Sequence, residues 1–242
     1  MKRYFILTII ALALAGCQNG LRTEAYSDDI ALAPYEGSAD SLLMSISLEY
    51  LVSGVPAHVE EAINQAIVTR AFDLEGWEGN LEESASAYRE NLIDEYLTEN
   101  AGEQTVTWED RMDGTFTGSF KNWINYVLTY FSYRGGAHGI QTVSPIVFDA
   151  GSGNIVSEED LFADGYAQPI AAMLRDAVTA SMQVDDEELL ELVEMDSIVP
   201  NNNFSIGDSG IEWVFQPYEV GPYALGIVTA TLSWKQLKPY LK

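Results

Sequence analysis

The stretch Tyr130–Phe162, YFSYRGGAHGIQTVSPIVFDAGSGNIVSEEDLF, decides how this chain folds. Its first residues continue a strand-like run, Trp123 to Arg134, rich in tyrosine, tryptophan and valine. Gly135, Gly136 and Gly139 surround His138, and glycines in that density supply positive φ or close backbone approach, so a sharp corner or bulge is predicted there. Pro145 to Phe148 resumes a strand, Asp149 to Asn154 makes a turn, and Ser157-Glu158-Glu159-Asp160 has the form of a capping box. Leu161 and Phe162 follow as the first inward residues.

On either side of this stretch the hydrophobic period alternates between two and 3.6. Met44, Ile46, Leu48 and Tyr50 alternate as one face of a strand. Val59, Ile63, Ala66, Ile67 and Arg70 fall at helical spacing, with Pro56 near the start and Gly76 past the end. A second helix is predicted from about Leu81 to Asn100, burying Tyr88, Leu92, Ile93, Tyr96 and Leu97. Thr105–Phe116 and Trp123–Arg134 read as an antiparallel pair. After the central stretch come a helix from about Ala167 to Met182, a shorter acidic helix from Asp185 to Glu194, and the strands Phe204–Ile206, Ile211–Phe215 and Leu225–Leu232. Ser233 caps a last helical turn. The fold class is therefore α+β, an antiparallel sheet with helices packed against it, in one compact domain over residues 41–242.

The N-terminus carries an address. Lys2 and Arg3 precede an apolar run, Tyr4 to Ala15, of signal-peptide length and short of the roughly 20 residues of a membrane span. The run ends in Leu14-Ala15-Gly16-Cys17, which resembles a bacterial lipobox. Residues 1–16 are then a lipoprotein signal peptide, Cys17 is the lipidation site, and 17–40 is expected to be a flexible tether. Gln18 behind the cysteine points to outer-membrane sorting by the enterobacterial rule. As the lone cysteine of the protein, a lipidated Cys17 forms no disulfide and no catalytic thiol.

Charge narrows the partners. Removing Lys2 and Arg3 from the 12 basic side chains leaves ten against 37 acidic ones, a net charge near −27. Nucleic acid is a poor partner for such a surface, and a cationic protein a natural one. Neither His58 nor His138 has a partner at metal-ligand spacing, so no metal and no cofactor are expected. Gly207-Asp208-Ser209-Gly210 matches the residues around the nucleophile of trypsin-like proteases, but it continues with Ile211-Glu212 and reads as a turn between two strands. His138 is the best single catalytic candidate, against a plain turn histidine.

In order along the chain, Tyr133-Arg134-Gly135-Gly136-Ala137-His138, Val147-Phe148-Asp149, Asp160-Leu161-Phe162, Pro217-Tyr218-Glu219-Val220 and Gly221-Pro222-Tyr223 resemble the motifs of an RsiV-like exported domain family. That domain forms the lysozyme-sensing ectodomain of RsiV-type anti-sigma factors and accompanies PdaC-type peptidoglycan deacetylase domains. The resemblance implies a stand-alone lipid-anchored binding domain rather than an enzyme, with a lysozyme-like cationic protein or a cell-wall ligand as partner. Its motif residues, Tyr133, Gly135, Gly136, His138, Asp149, Asp160, Tyr218, Glu219 and Tyr223, are the candidate ligand-binding set. A glycan-modifying enzyme or its accessory domain, and an envelope scaffold, are the alternatives.

Overall fold

The computed structural model describes residues 13–18, 20–73, 79–102, 104–185 and 187–242. In chain order the elements are β1 (Ala13–Gln18), β2 (Leu21–Leu32), β3 (Leu42–Ser53), α1 (Ala57–Phe72), α2 (Leu81–Glu99), β4 (Trp108–Phe120), β5 (Trp123–Tyr133), β6 (Ile140–Asp149), α3 (Glu158–Leu161), α4 (Ala167–Asp185), α5 (Glu187–Leu190), β7 (Phe204–Ile206), β8 (Gly210–Phe215), β9 (Val228–Ser233) and α6 (Trp234–Leu237). Strands β1 to β6 form one sheet in sequence order, and β7, β8 and β9 form a second. The α+β class is as expected, with one difference: β3 and β4 pair in parallel, Leu42 opposite Trp108 and Leu48 opposite Gly114. Helices α1 and α2 fill the crossover that a parallel pair requires. No helix among the described residues is long and apolar enough to cross a membrane.

The chain clusters into two compact units, residues 1–115 with 128–141, and residues 116–127 with 142–242. Each boundary between their segments falls inside β4, β5 or β6.

In the first unit the alternation of β3 drives Leu42, Met44, Ile46 and Leu48 fully inward. Val59, Ile63 and Ile67, one turn apart on α1, are buried against that strand, and Leu92 and Tyr96 of α2 join them. The side chain of Asn64 fixes the helix to the strand edge, accepting from Leu51 N and donating to Leu51 O at 2.8 Å each. Helix α1 ends at Asp73, whose left-handed φ of 52° makes the stop expected of a glycine; Gly76 lies outside the described residues. Helix α2 starts on a capping box, with Asn80 Oδ1 accepting from Glu83 N and Glu83 Oε2 accepting from Asn80 N.

The expected tether is corrected here. Leu21–Leu32 is a twelve-residue strand paired antiparallel with β3, from Thr23 opposite Leu51 to Leu32 opposite Leu42. It begins four residues after Cys17. Its buried slots include Thr23 and Asp28, and these polar residues obscure the apolar alternation that marks a strand. Strand β1 pairs Cys17 with Arg22 and Gln18 with Leu21, and its first four residues belong to the expected signal peptide.

In the second unit Ile170, Leu174 and Val178 line one face of α4 and pack with Trp213, Phe215, Phe204 and Leu232 of the three-stranded sheet. The predicted capping boxes are both present, Ser157 with Asp160 and Ser233 with Gln236. The Gly-Asp-Ser-Gly segment is the β7–β8 turn, closed by reciprocal backbone bonds between Gly207 and Gly210. A Cβ at Gly210 would lie 1.9 Å from the Leu232 carbonyl oxygen, so close strand approach dictates this glycine. The acidic helix expected over Asp185–Glu194 contracts to the single turn of α5 and a 3₁₀ turn at Met195–Ser197.

Candidate functional site

The predicted motif residues divide into those that hold backbone and those that face outward. In the first unit, Gly135 and Gly136 adopt φ of 90° and 98° and form the expected corner. Tyr133 closes it by donating its hydroxyl to Gly136 O at 3.2 Å. His138 is exposed at the tip, with Nδ1 3.0 Å from Gly139 O.

The corner is set by a group that sequence reasoning passed over. Asp110, 1% exposed, accepts from Arg134 Nη1 at 2.8 Å on Oδ1 and from Arg134 Nη2 at 2.6 Å on Oδ2. Tyr130 donates to Oδ1 at 3.0 Å and Tyr88 to Oδ2 at 3.1 Å. Arg134 also stacks over Trp108, 4.5 Å from the ring centroid. Burial draws the guanidinium pKa down, but the hydrogen bonds and charge of Asp110 outweigh it and hold Arg134 above its ordinary value. Burial and the neighbouring Tyr130 and Asp110 keep the Tyr88 phenol well above the tyrosine range. Four donors saturate this carboxylate, so its chemistry is to hold: it fixes the arginine that opens the Arg-Gly-Gly corner. One signal could have found it. Trp108, Asp110, Met112, Gly114 and Phe116 alternate inward, and a carboxylate in a core phase needs a partner.

In the second unit, Asp149 and Asp160 also serve the backbone. Asp149 Oδ1 accepts from Gly151 N, Ser152 N and Ser152 Oγ, and Oδ2 accepts from Asn122 Nδ2. Slight burial would raise its carboxyl, yet these bonds hold it below the usual carboxylate range. Asp160 is likewise lowered, first by the backbone N–H of Ser157 and then by its hydroxyl. A second unforeseen carboxylate, Glu158, is 1% exposed and latches α3: Oε1 accepts from Trp213 Nε1 at 2.8 Å and Asn202 N at 2.9 Å, and Oε2 from Tyr166 at 3.1 Å.

The loop 216–226 presents aromatic surface. Tyr218 is 58% exposed with a left-handed φ of 70°, an unusual backbone for a bulky side chain. Its ring centroid lies 5.7 Å from that of Tyr223. Polar clamps hold the loop beneath it. Glu219 accepts from Gln216 N and Asn201 Nδ2, each at 2.7 Å. Gln216 in turn pairs with both backbone groups of Val143. Gly221 permits close approach, since a Cβ there would lie 2.6 Å from Leu192 O. Among the predicted residues of this loop, Glu219 is thus a clamp, Tyr218 is exposed and Tyr223 is half-buried beside it.

The unit has few cations to offset its acid. Between Arg134 and Lys235 the one basic side chain is Arg175, bound to the carbonyls of Met195 and Asp196. Among the described residues no group of three or more histidine, cysteine, aspartate or glutamate side chains could hold a metal ion.

Residues 159–235 match the model of a family described as protein of unknown function, DUF3298. Residues 1–18 match the prokaryotic membrane lipoprotein lipid attachment site, so the chain is a lipid-anchored envelope protein. The fold resembles that of a DUF3298 family member from Bacteroides fragilis, at TM-score 0.81 and 20% identity, over 93% of this chain and 96% of that one. It also resembles a DUF3298 family protein from Pseudomonas aeruginosa, at TM-score 0.69 and 14% identity, over 94% and 97%. No curated protein matches the chain in sequence. The match over 159–235 includes Asp160, the Glu219 clamp and both loop tyrosines.

Proposed function

We propose that this lipoprotein is a non-enzymatic binding domain whose Tyr218–Tyr223 loop takes a cationic protein, a lysozyme-like protein being the concrete candidate, or a cell-wall ligand. The observation that carries the reading is the conformation of Tyr218. A left-handed backbone at a bulky residue costs on the order of 1–3 kcal/mol. Here the strained residue carries a side chain that is 58% exposed, and Glu219 and Gln216 hold the loop beneath it in place. An exposed tyrosine backed by a half-buried one is the kind of anchor that binding surfaces use. The surplus of carboxylates around it speeds encounter with a cation. Gln18 behind the lipidated cysteine favours outer-membrane sorting under the enterobacterial rule.

The test is capture of C-type lysozyme by the mature lipoprotein in detergent, by surface plasmon resonance at several salt concentrations. Saturable binding should weaken steeply as salt rises, and Tyr218→Ala and Tyr223→Ala should each weaken it about tenfold or more, the scale of an aromatic anchor. Salt-independent capture, or capture indifferent to both tyrosines, contradicts the proposal. Turnover of cell-wall fragments that is lost in His138→Ala would replace it with a glycan-acting enzyme.

A further inference from the structure

The first unit contains a cavity of about 560 Å³ that the tyrosine loop leaves unexplained. That volume lies in the range of small-molecule sites. Tyr26 of β2 and Tyr50 of β3 line it, together with Glu60 and Ile67 on α1 and Leu81 and Glu82 at the start of α2.

Its chemistry is one-sided. Tyr50 donates its hydroxyl to Glu24 Oε2 at 3.0 Å, and Tyr26 donates to Asp28 Oδ2 at 3.4 Å. Both phenols therefore stay neutral, and Tyr26 is pushed up to about 12 by burial and by the charge of Asp28. Glu82 lines the same cavity as the two rings, and its negative charge acts on both hydroxyls. Glu61 adds another carboxylate to the lining, and among the described residues no lysine, arginine or histidine lines the cavity. Behind Tyr26, Asp28 is fully buried; its Oδ2 pairs with Arg89 at 2.5 Å while Oδ1 has no partner. Arg89 thus pairs with Asp28 behind the cavity, while Glu60, Glu61 and Glu82 line it.

Two other occupants fit worse. The N-terminus of α2 would favour an anion, but its capping box already occupies the N–H groups of Asn80 and Glu83, and Glu82 stands in the first turn. A bare metal ion needs converging ligands, and no such group exists among the described residues. The lining instead alternates carboxylates with Ile67, Val68, Leu81 and tyrosine rings. We infer that this cavity binds an alkylammonium, its aliphatic stem against the apolar wall and its charge among the carboxylates and tyrosine faces. A free aliphatic polyamine and a lysine side chain of another protein share that chemistry.

The experiment is isothermal titration of the mature lipoprotein in detergent at fixed ionic strength. The probes are spermidine, Nα-acetyl-lysine-methylamide, hexanoate and magnesium chloride. One-to-one binding of either amine is expected, weakened about tenfold by Glu82→Gln, the worth of one charge-assisted hydrogen bond. Tyr50→Leu should weaken it as well, whereas Asp208→Asn, an acidic change on the β7–β8 turn, should not. Glu82 lies outside the capping box, so an unchanged melting temperature will show that Glu82→Gln still folds. Preference for spermidine assigns the site to free polyamines, and preference for the lysine derivative assigns it to a protein side chain. Hexanoate binding as tightly as the amines, magnesium matching spermidine, or no amine binding overturns the inference. The cavity shares no residue with the tyrosine loop, so a failure here leaves lysozyme capture untouched.

Discussion

Replacing Arg134 with alanine tests whether the Asp110 group organises the glycine corner. The change removes two hydrogen bonds of 2.8 and 2.6 Å and the stacking on Trp108. It leaves a carboxylate, 1% exposed, with two tyrosine hydroxyls and no cation. Breaking a fully buried pair costs about 3–5 kcal/mol. The arginine side chain is 34% exposed, and solvent screening reduces the expected cost to about 2–3 kcal/mol. For a domain of this size each kcal/mol moves the melting temperature by about 2–4 °C, so Arg134→Ala should lower it by about 4–12 °C. Differential scanning calorimetry reads this directly. Arg134→Lys should recover part of the loss, because it restores a charge without the planar fork. A double-mutant cycle with Asp110→Asn should show coupling above about 1 kcal/mol. A loss below about 1 kcal/mol in Arg134→Ala would refute the reasoning, since it would mean that Asp110 does not depend on the arginine.

Two further outcomes follow from the geometry. Gly210→Ala should prevent stable folding, because the new Cβ would sit 1.9 Å from Leu232 O at a backbone φ of 154°, and loss of the cooperative transition by circular dichroism checks it. With pH, the signs are opposite at the two ends. Asp40, held down by the hydroxyls of Thr105 and Thr107, and Asp149 and Asp160 have lowered folded values. Their contribution is therefore present above the ordinary carboxylate range and disappears as pH falls through the folded values. Tyr26 and Tyr96, raised to about 12 by burial, contribute fully below the ordinary tyrosine value near 10 and lose that contribution as pH rises toward 12. A spectrophotometric titration of phenolate should show a late-ionising fraction that merges with the rest on denaturation.

Much of the fold was legible wherever one segment carries its own instructions. Met44, Ile46 and Leu48 alternate, Ile63 and Ile67 stand one turn apart, and Ser157 and Asp160 cap a helix within four residues. What stayed hidden depends on distant partners. Strand β2 looks like a tether because Asp28 occupies an inward slot, and that slot makes sense once Arg89, 61 residues away, is paired with it. The parallel pairing of β3 with β4 is decided by how α1 and α2 cover the sheet, which no local period encodes. For the site, the family motif named candidate ligand residues, and the fold gives several of them backbone partners. Asp149, Asp160 and Glu219 were candidates because they match the family's motif, and in the fold each accepts from backbone a few residues off. Asp110 and Glu158 were missed because their partners arrive from other elements.

The strand that replaced the expected tether changes how the molecule lives at its membrane. With the lipid on Cys17, whose backbone already pairs with Arg22 of β2, the folded sheet begins at the anchor itself. The domain therefore skims the bilayer on a short leash instead of sweeping the depth of the envelope. Its search for a partner is lateral, in a thin layer against the lipid headgroups. A soluble partner must come down to that layer to be met.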